Sequence, residues 1–250
     1  MIASLPMYAT PLTAGADARF WALIRDHLRA EGIGAPEVLT LSPGDLMTHW
    51  RDPDLLLSQT CGLPFRAVLK DHVALVGTPD YGLKDCPPGH YNSLVIARSD
   101  DARTRLAEFA GATFAYNDPL SQSGWAALAL DTPEFVTGPK LQSGSHRASA
   151  HAVREGRADF ASIDAVTWQH LTAASETSGL RIIHATRPTP GLPLITAKGN
   201  LAETLFTAVA TAIAMLEPAD RQTLHLRGLI ALPETAYDLP IPPKPEAITR

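Results

Sequence analysis

Cysteine is scarce in this chain: Cys61 and Cys86 are the only two among 250 residues. Their spacing fits no zinc pattern and no redox motif. Free thiols are expected, and a bridge would require the fold to bring the two Cα atoms within about 7 Å. Charge of either sign is modest as well. Charged residues make up 19% of the chain and the net charge is −5. That excludes a global pull toward nucleic acid or an anionic membrane. An anion site here must be local, built from helix ends and a few side chains. Long apolar runs are missing too. The longest, "LFTAVATAIAML", is too short and too punctuated to span a bilayer, so no membrane insertion is expected. Catalytic and nucleotide signatures are absent: there is no G-x-G-x-x-G, no P-loop, no H-E-x-x-H and no G-x-S-x-G elbow. The nine histidines are scattered without ligand spacing, so no metal or cofactor is expected.

What is present is an ordinary apolar complement. At 45% hydrophobic, the chain is long and apolar enough for one large globular domain or two smaller ones with real cores. Its 21 prolines cluster in "DCPPGH", "RPTPGLP" and "LPIPPKPE", which have the character of stiff connectors. The opening "MIASLPMYATP" lacks a basic stretch, a long apolar core and a cleavage box. As written, it predicts a cytoplasmic protein; a start further upstream would make it periplasmic.

Hydrophobic periodicity alternates between strand and helix. "IASLPMY" has strand character. "ADARFWALIRDHLRAEG" places Phe20, Leu23, Ile24 and Leu28 on one helical face and stops at Gly32. "EVLTL", "PDLLLSQTCG" and "VALVGTPDY" predict further strands, with a helix starting in "SPGDLMTHW". A second series runs from "YNSLVIARS" through "DARTRLAEFAG" (helix), "ATFAYND" (strand), "SQSGWAALAL" (helix), "EFVTG" (strand), "HRASAHAVREG" (helix), "ADFASID" (strand) and "AVTWQHLTA" (helix). The strands "LRIIHATRP" and "LPLITAKG" and the long helix "LAETLFTAVATAIAML" complete the pattern. Two such series predict an α/β protein with two mostly parallel sheets flanked by helices. The expected division is a discontinuous first lobe, 1–88 with 188–250, and a second lobe, 92–184. Hinge strands are expected near 88–94 and 183–188, with a ligand cleft between the lobes.

Two stretches carry the chemistry. "NDPLSQSGW" puts Ser121, Gln122, Ser123 and Gly124 at a helix start. "LQSGSHRASAHAVREG" does the same with Ser143, Gly144, Ser145 and His146. A helix N-terminus offers unpaired N–H groups and partial positive charge, and small hydroxyl residues add donors. Two converging starts would hold an oxyanion without many cationic side chains, whereas either alone reads more readily as an ordinary serine cap. Asp164, at the end of "ADFASID", either contacts the ligand or caps the next helix. "SQTCG", with Gln59 and Thr60, offers groups to close a cleft from the other side. Tyr8, Trp50, Tyr81 and Trp168 are candidate walls. A Ser–His–Asp arrangement is not expected, because Ser145 and His146 are sequence neighbours that point in different directions.

With these residues in place, the chain resembles the phosphate/phosphite/phosphonate-binding proteins of ABC transporters, of the type II periplasmic binding protein superfamily. The resemblance rests on "PDLLLSQTCG", "LVGTPDY" before "GHYNSLVIAR", "NDPLSQSGW", "SGSHRASAHAVREGRADFASIDAVTW" and "TRPTPGLP", in the family's order over about residues 50–195. It implies that Ser121, Gln122, Ser123, Ser145 and His146 grip the oxyanion and that Asp164 contacts the rest of the ligand. Gln122 stands where the family usually has a hydroxyl, which widens the choice of anion. The implied function is a binding protein that closes on a small anionic solute, for uptake with an ABC permease or as a cytoplasmic sensor. The alternative is an enzyme on the same fold acting on a small anionic metabolite.

Overall fold

The computed structural model describes residues 1–245; residues 246–250, the end of the proline-rich stretch among them, lie outside the described residues. In chain order the elements are β1 (Ile2–Ser4), α1 (Ala14–Ala30), α2 (Leu46–Trp50), β2 (Leu55–Gln59), α3 (Gly62–Pro64) and β3 (Ala74–Asp80). Then come β4 (His90–Tyr91), β5 (Ser93–Arg98), β6 (Phe114–Tyr116), α4 (Ala127–Asp131), β7 (Lys140–Gln142), α5 (His146–Arg154), β8 (Phe160–Asp164), α6 (Ala165–Ala173) and β9 (Leu180–Ala185). The rest is β10 (Thr189–Pro190), β11 (Leu194–Thr196), α7 (Ala202–Met215), α8 (Pro218–Thr223) and β12 (Gly228–Ile230). Among the described residues, no helix is long and apolar enough to cross a membrane.

The chain forms two units. Met1–His90 and Pro190–Leu239 make the first; Tyr91–Thr189 and the segment from Pro240 make the second. The expected division kept everything after 188 in the first lobe, and here the structure differs. The segment from Pro240 groups with the second unit, where the Trp125 indole Nε1 donates to the Pro243 carbonyl at 2.9 Å.

The first unit is built on a five-stranded sheet in the order β1-β2-β11-β3-β12. β1 and β2 run parallel; β11 is antiparallel to both its neighbours, and β12 is antiparallel to β3. β1, β2 and β3 therefore share one direction and end at one edge of the sheet. Phe20, Ile24 and Leu28 are buried along one face of α1, as the three-to-four spacing predicts; Leu23 is only half-buried, and Trp21 is buried beside them. Each such side chain contributes about 1.5–3 kcal/mol of burial. α1 packs on α7 and ends where Gly32 takes φ +76°, with Ile33 N–H returning to the Leu28 carbonyl.

The second unit carries the sheet β7-β6-β8-β5-β9. β6 is parallel to β7 and to β8, and β5 is antiparallel to β8 and to β9. An aromatic stack fixes this sheet to its helices. Phe114 lies 5.0 Å from Phe160, and Tyr116 lies 5.5 Å from Trp125, ring centre to ring centre.

Both sheets are mixed, not mostly parallel. In the second unit the chain enters on β5 and leaves on β9, and both ends of that excursion open at the same edge. A strand leading away and a strand leading back must then be antiparallel. β11 arises likewise, returning between β2 and β3. Three local expectations also change. Residues 37–41 form no strand: Val38 and Leu41 stay 71% and 77% exposed, Thr40 N–H bonds the Ala3 carbonyl, and the Glu37 carbonyl and carboxylate accept from Arg25 and Arg29. The helix expected at 101–111 shrinks to a 3₁₀ turn at Leu106–Phe109, because Asp101 is clamped by Arg103 instead of entering a helix. The strand expected in "EFVTG" is a 3₁₀ turn at Pro133–Val136, with Pro133 at its first position.

Candidate functional site

In the second unit, three adjacent parallel strands bring three loops to one sheet edge. β6 feeds Asn117 to Gly124, β7 feeds Ser143 to His146, and β8 ends on Asp164. Ligands of α/β sheets sit at the carboxyl ends of strands for this reason. Ser121 is the first cap. Its Oγ accepts from Gly124 N–H at 2.9 Å, which leaves its own proton free to be donated. A π-helical turn, Gln122–Ala126, follows before α4 begins. Ser145 caps α5 in the same manner, accepting from Ala148 N–H at 3.0 Å.

The two starts converge. Ser123 Oγ lies 3.0 Å from His146 Nε2. Ser162, on β8, donates its hydroxyl to the Ser123 carbonyl at 2.6 Å and locks the turn to the sheet. Gly144 N–H bonds the Asn117 carbonyl, and Ser143 Oγ lies 2.6 Å from Ser149 Oγ, so the second loop is tied to the first strand and to its own helix. Ser162 was not a sequence candidate; its only signal is its place two residues before Asp164 on a fully buried strand.

His146 is part-exposed as a residue, but its ring Nδ1 is shut away from solvent. Burial pushes the imidazole down to about 4; the Ser162 carbonyl, which favours the protonated ring, is the smaller influence. The ring is neutral near pH 7. Asp164 is buried, and its Oδ1 accepts from Val166 N–H at 2.8 Å and Thr167 N–H at 3.0 Å. The capping role that the sequence left open for it is thus occupied.

Gly124 has a steric role. A Cβ there would fall 1.7 Å from Asn117 Oδ1 and 3.1 Å from Ser121 Oγ. Gly124→Ala is expected to cost about 1–3 kcal/mol of stability, the usual penalty of overpacking. Urea unfolding that matches the parent would show that Asn117 simply swings aside.

The first unit gathers its own set at the shared edge of β1, β2 and β3. The Tyr8 ring meets the Tyr81 ring edge-on at 5.3 Å. Gln59 Nε2 donates to the Tyr81 hydroxyl at 2.9 Å, and the Gln59 carbonyl accepts from Trp50 Nε1 at 3.2 Å. Thr60 is fully buried, and its Oγ1 has no hydrogen-bond partner among the described residues. Tyr8, Gln59, Thr60 and Tyr81 thus lie together. Trp50 is a buried brace behind them, and Trp168 packs against the core of the second unit rather than lining a wall. Cys61 and Cys86 form no disulfide.

Residues 54–233 match the family described as "ABC transporter, phosphonate, periplasmic substrate-binding protein". The chain belongs to that family. Its members are substrate-binding proteins, so the chain is a solute-binding protein of the ABC uptake type. The fold agrees. A Prochlorococcus marinus protein solved with methylphosphonate superposes with a TM-score of 0.69 at 15% identity, covering 95% of this chain and 94% of that one. A binding-protein component of a phosphonate ABC transporter from Pseudomonas aeruginosa gives 0.66 at 18% identity, covering 95% and 82%. A Xanthomonas citri protein bound to ATP gives 0.67 at 16% identity, covering 94% and 92%. At these identities the likeness concerns the two-lobed periplasmic-binding-protein fold. A comparison with curated protein sequences found no match.

Proposed function

We propose that this solute-binding protein takes a small oxyanion of the phosphonate kind at the loop edge of the second unit. The hydroxyls of Ser121 and Ser123, the N-terminus of α5 at Ser145 and His146, and the backbone N–H groups beginning at Gln122 are its donors. The observation that carries the reading is the 3.0 Å approach of Ser123 Oγ to His146 Nε2, which brings two helix starts to one place. Gln59, Thr60 and Tyr8 of the first unit would meet the remainder of the solute on closure about hinge strands near 88–94 and 183–188. The orphan Thr60 hydroxyl favours this, since a buried polar atom left unmatched costs about 1–3 kcal/mol until a ligand satisfies it. Membership of the family supports delivery to an ABC permease outside the inner membrane.

The Ser123–His146 pair bears on the alternative of an enzyme on the same fold, through a serine other than the neighbouring Ser145. The low basicity of His146 weighs against that reading. A base that titrates near 4 takes a serine proton poorly at neutral pH.

Calorimetric titration with methylphosphonate, phosphite, phosphate and sulfate tests the proposal. One of them should bind without being converted, stabilising the fold by RT ln(1 + [L]/Kd) and so raising the melting temperature. No binding across the four would overturn the oxyanion assignment; release of a new product would favour the enzyme. Asp164→Asn refines the test, because Asn keeps the oxygen that caps α6. If Asp164 reads a donor group on the solute, the substitution should weaken amine- or hydroxyl-bearing phosphonates by about tenfold, or ~1.4 kcal/mol, and leave methylphosphonate equal or tighter. Equal losses for all ligands would mean that Asp164 holds the site together; no change for any of them would make it the cap of α6 alone.

A further inference from the structure

The proline-rich segment after Leu239 does more than end the fold. Tyr237 is buried in the first unit; its hydroxyl donates to the Gly191 carbonyl at 2.9 Å and lies 2.7 Å from Thr78 Oγ1. The chain then runs through Pro240, Ile241, Pro242, Pro243, Lys244 and Pro245, with Pro242 buried. Prolines lack the N–H donor and hold the backbone extended, so this segment offers carbonyls on a pre-ordered track and loses little entropy in docking. One of those carbonyls, that of Pro243, accepts the indole N–H of Trp125.

Trp125 belongs to the π-helical turn Gln122–Ala126, directly after Gly124. It is 2% exposed and packs on Tyr116 and Phe114. A buried indole N–H needs an acceptor, and without Pro243 this one has none to replace it in the hydrogen bonds seen here. The turn whose front presents Ser121 to Ser123 is thus braced from behind by a segment about 120 residues away in sequence.

We propose that the Pro240–Pro245 segment is a positioning strap for the Gln122–Ala126 turn, setting the aim of its N–H and hydroxyl donors through the Trp125–Pro243 bond. The proposal rests on the oxyanion reading above. Loss of the strap lets the turn fray and lowers oxyanion affinity, while the core of the second unit stays folded.

The test compares the full chain with a chain that stops at Leu239 and with Trp125→Phe, which keeps the ring bulk and removes the donor. Amide hydrogen exchange and methylphosphonate affinity are measured for all three. Exchange of the amides from Gln122 to Asp131 should quicken about tenfold in both variants, and Kd should rise about tenfold, the worth of one buried hydrogen bond. Amides of β8 and α6 should exchange as before. Unchanged exchange at Gln122–Asp131 in the shortened chain overturns the strap. So does faster exchange spread evenly over Tyr91–Thr189, or faster exchange with unchanged Kd. If the full chain binds no oxyanion, the solute reading fails separately, and the localisation of the exchange change decides whether the strap exists.

Discussion

Ser121→Ala combined with Ser123→Ala is expected to weaken oxyanion binding about 100-fold or more. Each hydroxyl would give a charge-assisted hydrogen bond worth about 1.5–3 kcal/mol, so the pair exceeds the ~2.7 kcal/mol that 100-fold represents. The cost to folding should be smaller and uneven. Ser121 also caps the turn by accepting from Gly124 N–H, so its loss removes about 1 kcal/mol of stability. Ser123 touches His146 only through its side chain, and its carbonyl bond to Ser162 survives the substitution. Titration calorimetry and urea unfolding on the same preparations separate the two effects. Unchanged affinity for the cognate oxyanion would return both serines to plain capping.

The second large effect concerns acid. The His146 ring titrates near 4 in the fold and near 6.5 when unfolded. Between those values the unfolded chain takes up a proton that the folded chain refuses. Stability is therefore full above about pH 7 and falls as the pH drops through 6.5 toward 4. The difference corresponds to about 3 kcal/mol once the pH is below 4. Asp17 acts in the opposite sense. Burial pushes its carboxyl up to about 6, so the fold gains from it at low pH and loses that gain as the pH rises from 3.8 through 6. The whole-protein curve mixes both, and burial also lowers His49 and His225. The informative quantity is the difference between the parent and His146→Gln, in which the amide can still bond Ser123. That difference should change by about 3 kcal/mol in favour of the variant between pH 7 and pH 4. A flat difference would mean that the ring reaches water in solution. Bound oxyanion should oppose the effect, because a nearby negative charge raises the imidazole toward its ordinary value.

Much of the site was legible in the chain because its parts are local. A small hydroxyl residue before a helix, with a glycine close by (Gly124 after Ser121, Gly144 before Ser145), is written in consecutive residues, and capping acts over three or four positions. Ser121 and Ser145 could thus be placed at helix starts from "NDPLSQSGW" and "SGSHRASA" alone. The same holds for α1, whose buried face is a matter of spacing. The strand expected at 37–41 failed for the complementary reason. Apolar residues favour a strand only when a covering layer exists, and here Val38 and Leu41 have none.

What the chain alone could not decide were the relations between distant residues. Ser123 and His146 are 23 positions apart, and only the parallel placement of β7 beside β6 brings Oγ to Nε2. The low basicity of His146 comes from burial, which belongs to the packed core and to no motif. The mixed sheets follow from a chain that enters and leaves each unit at one edge, a constraint of topology that hydrophobic alternation does not encode. Trp125 found its acceptor in Pro243, a proline that sequence patterns mark only as a stiff connector. Local hydrogen bonding and periodicity were determined by the order of the residues; charge state, register and long-range support were decided by the tertiary structure, because burial and proximity exist only once the chain has folded.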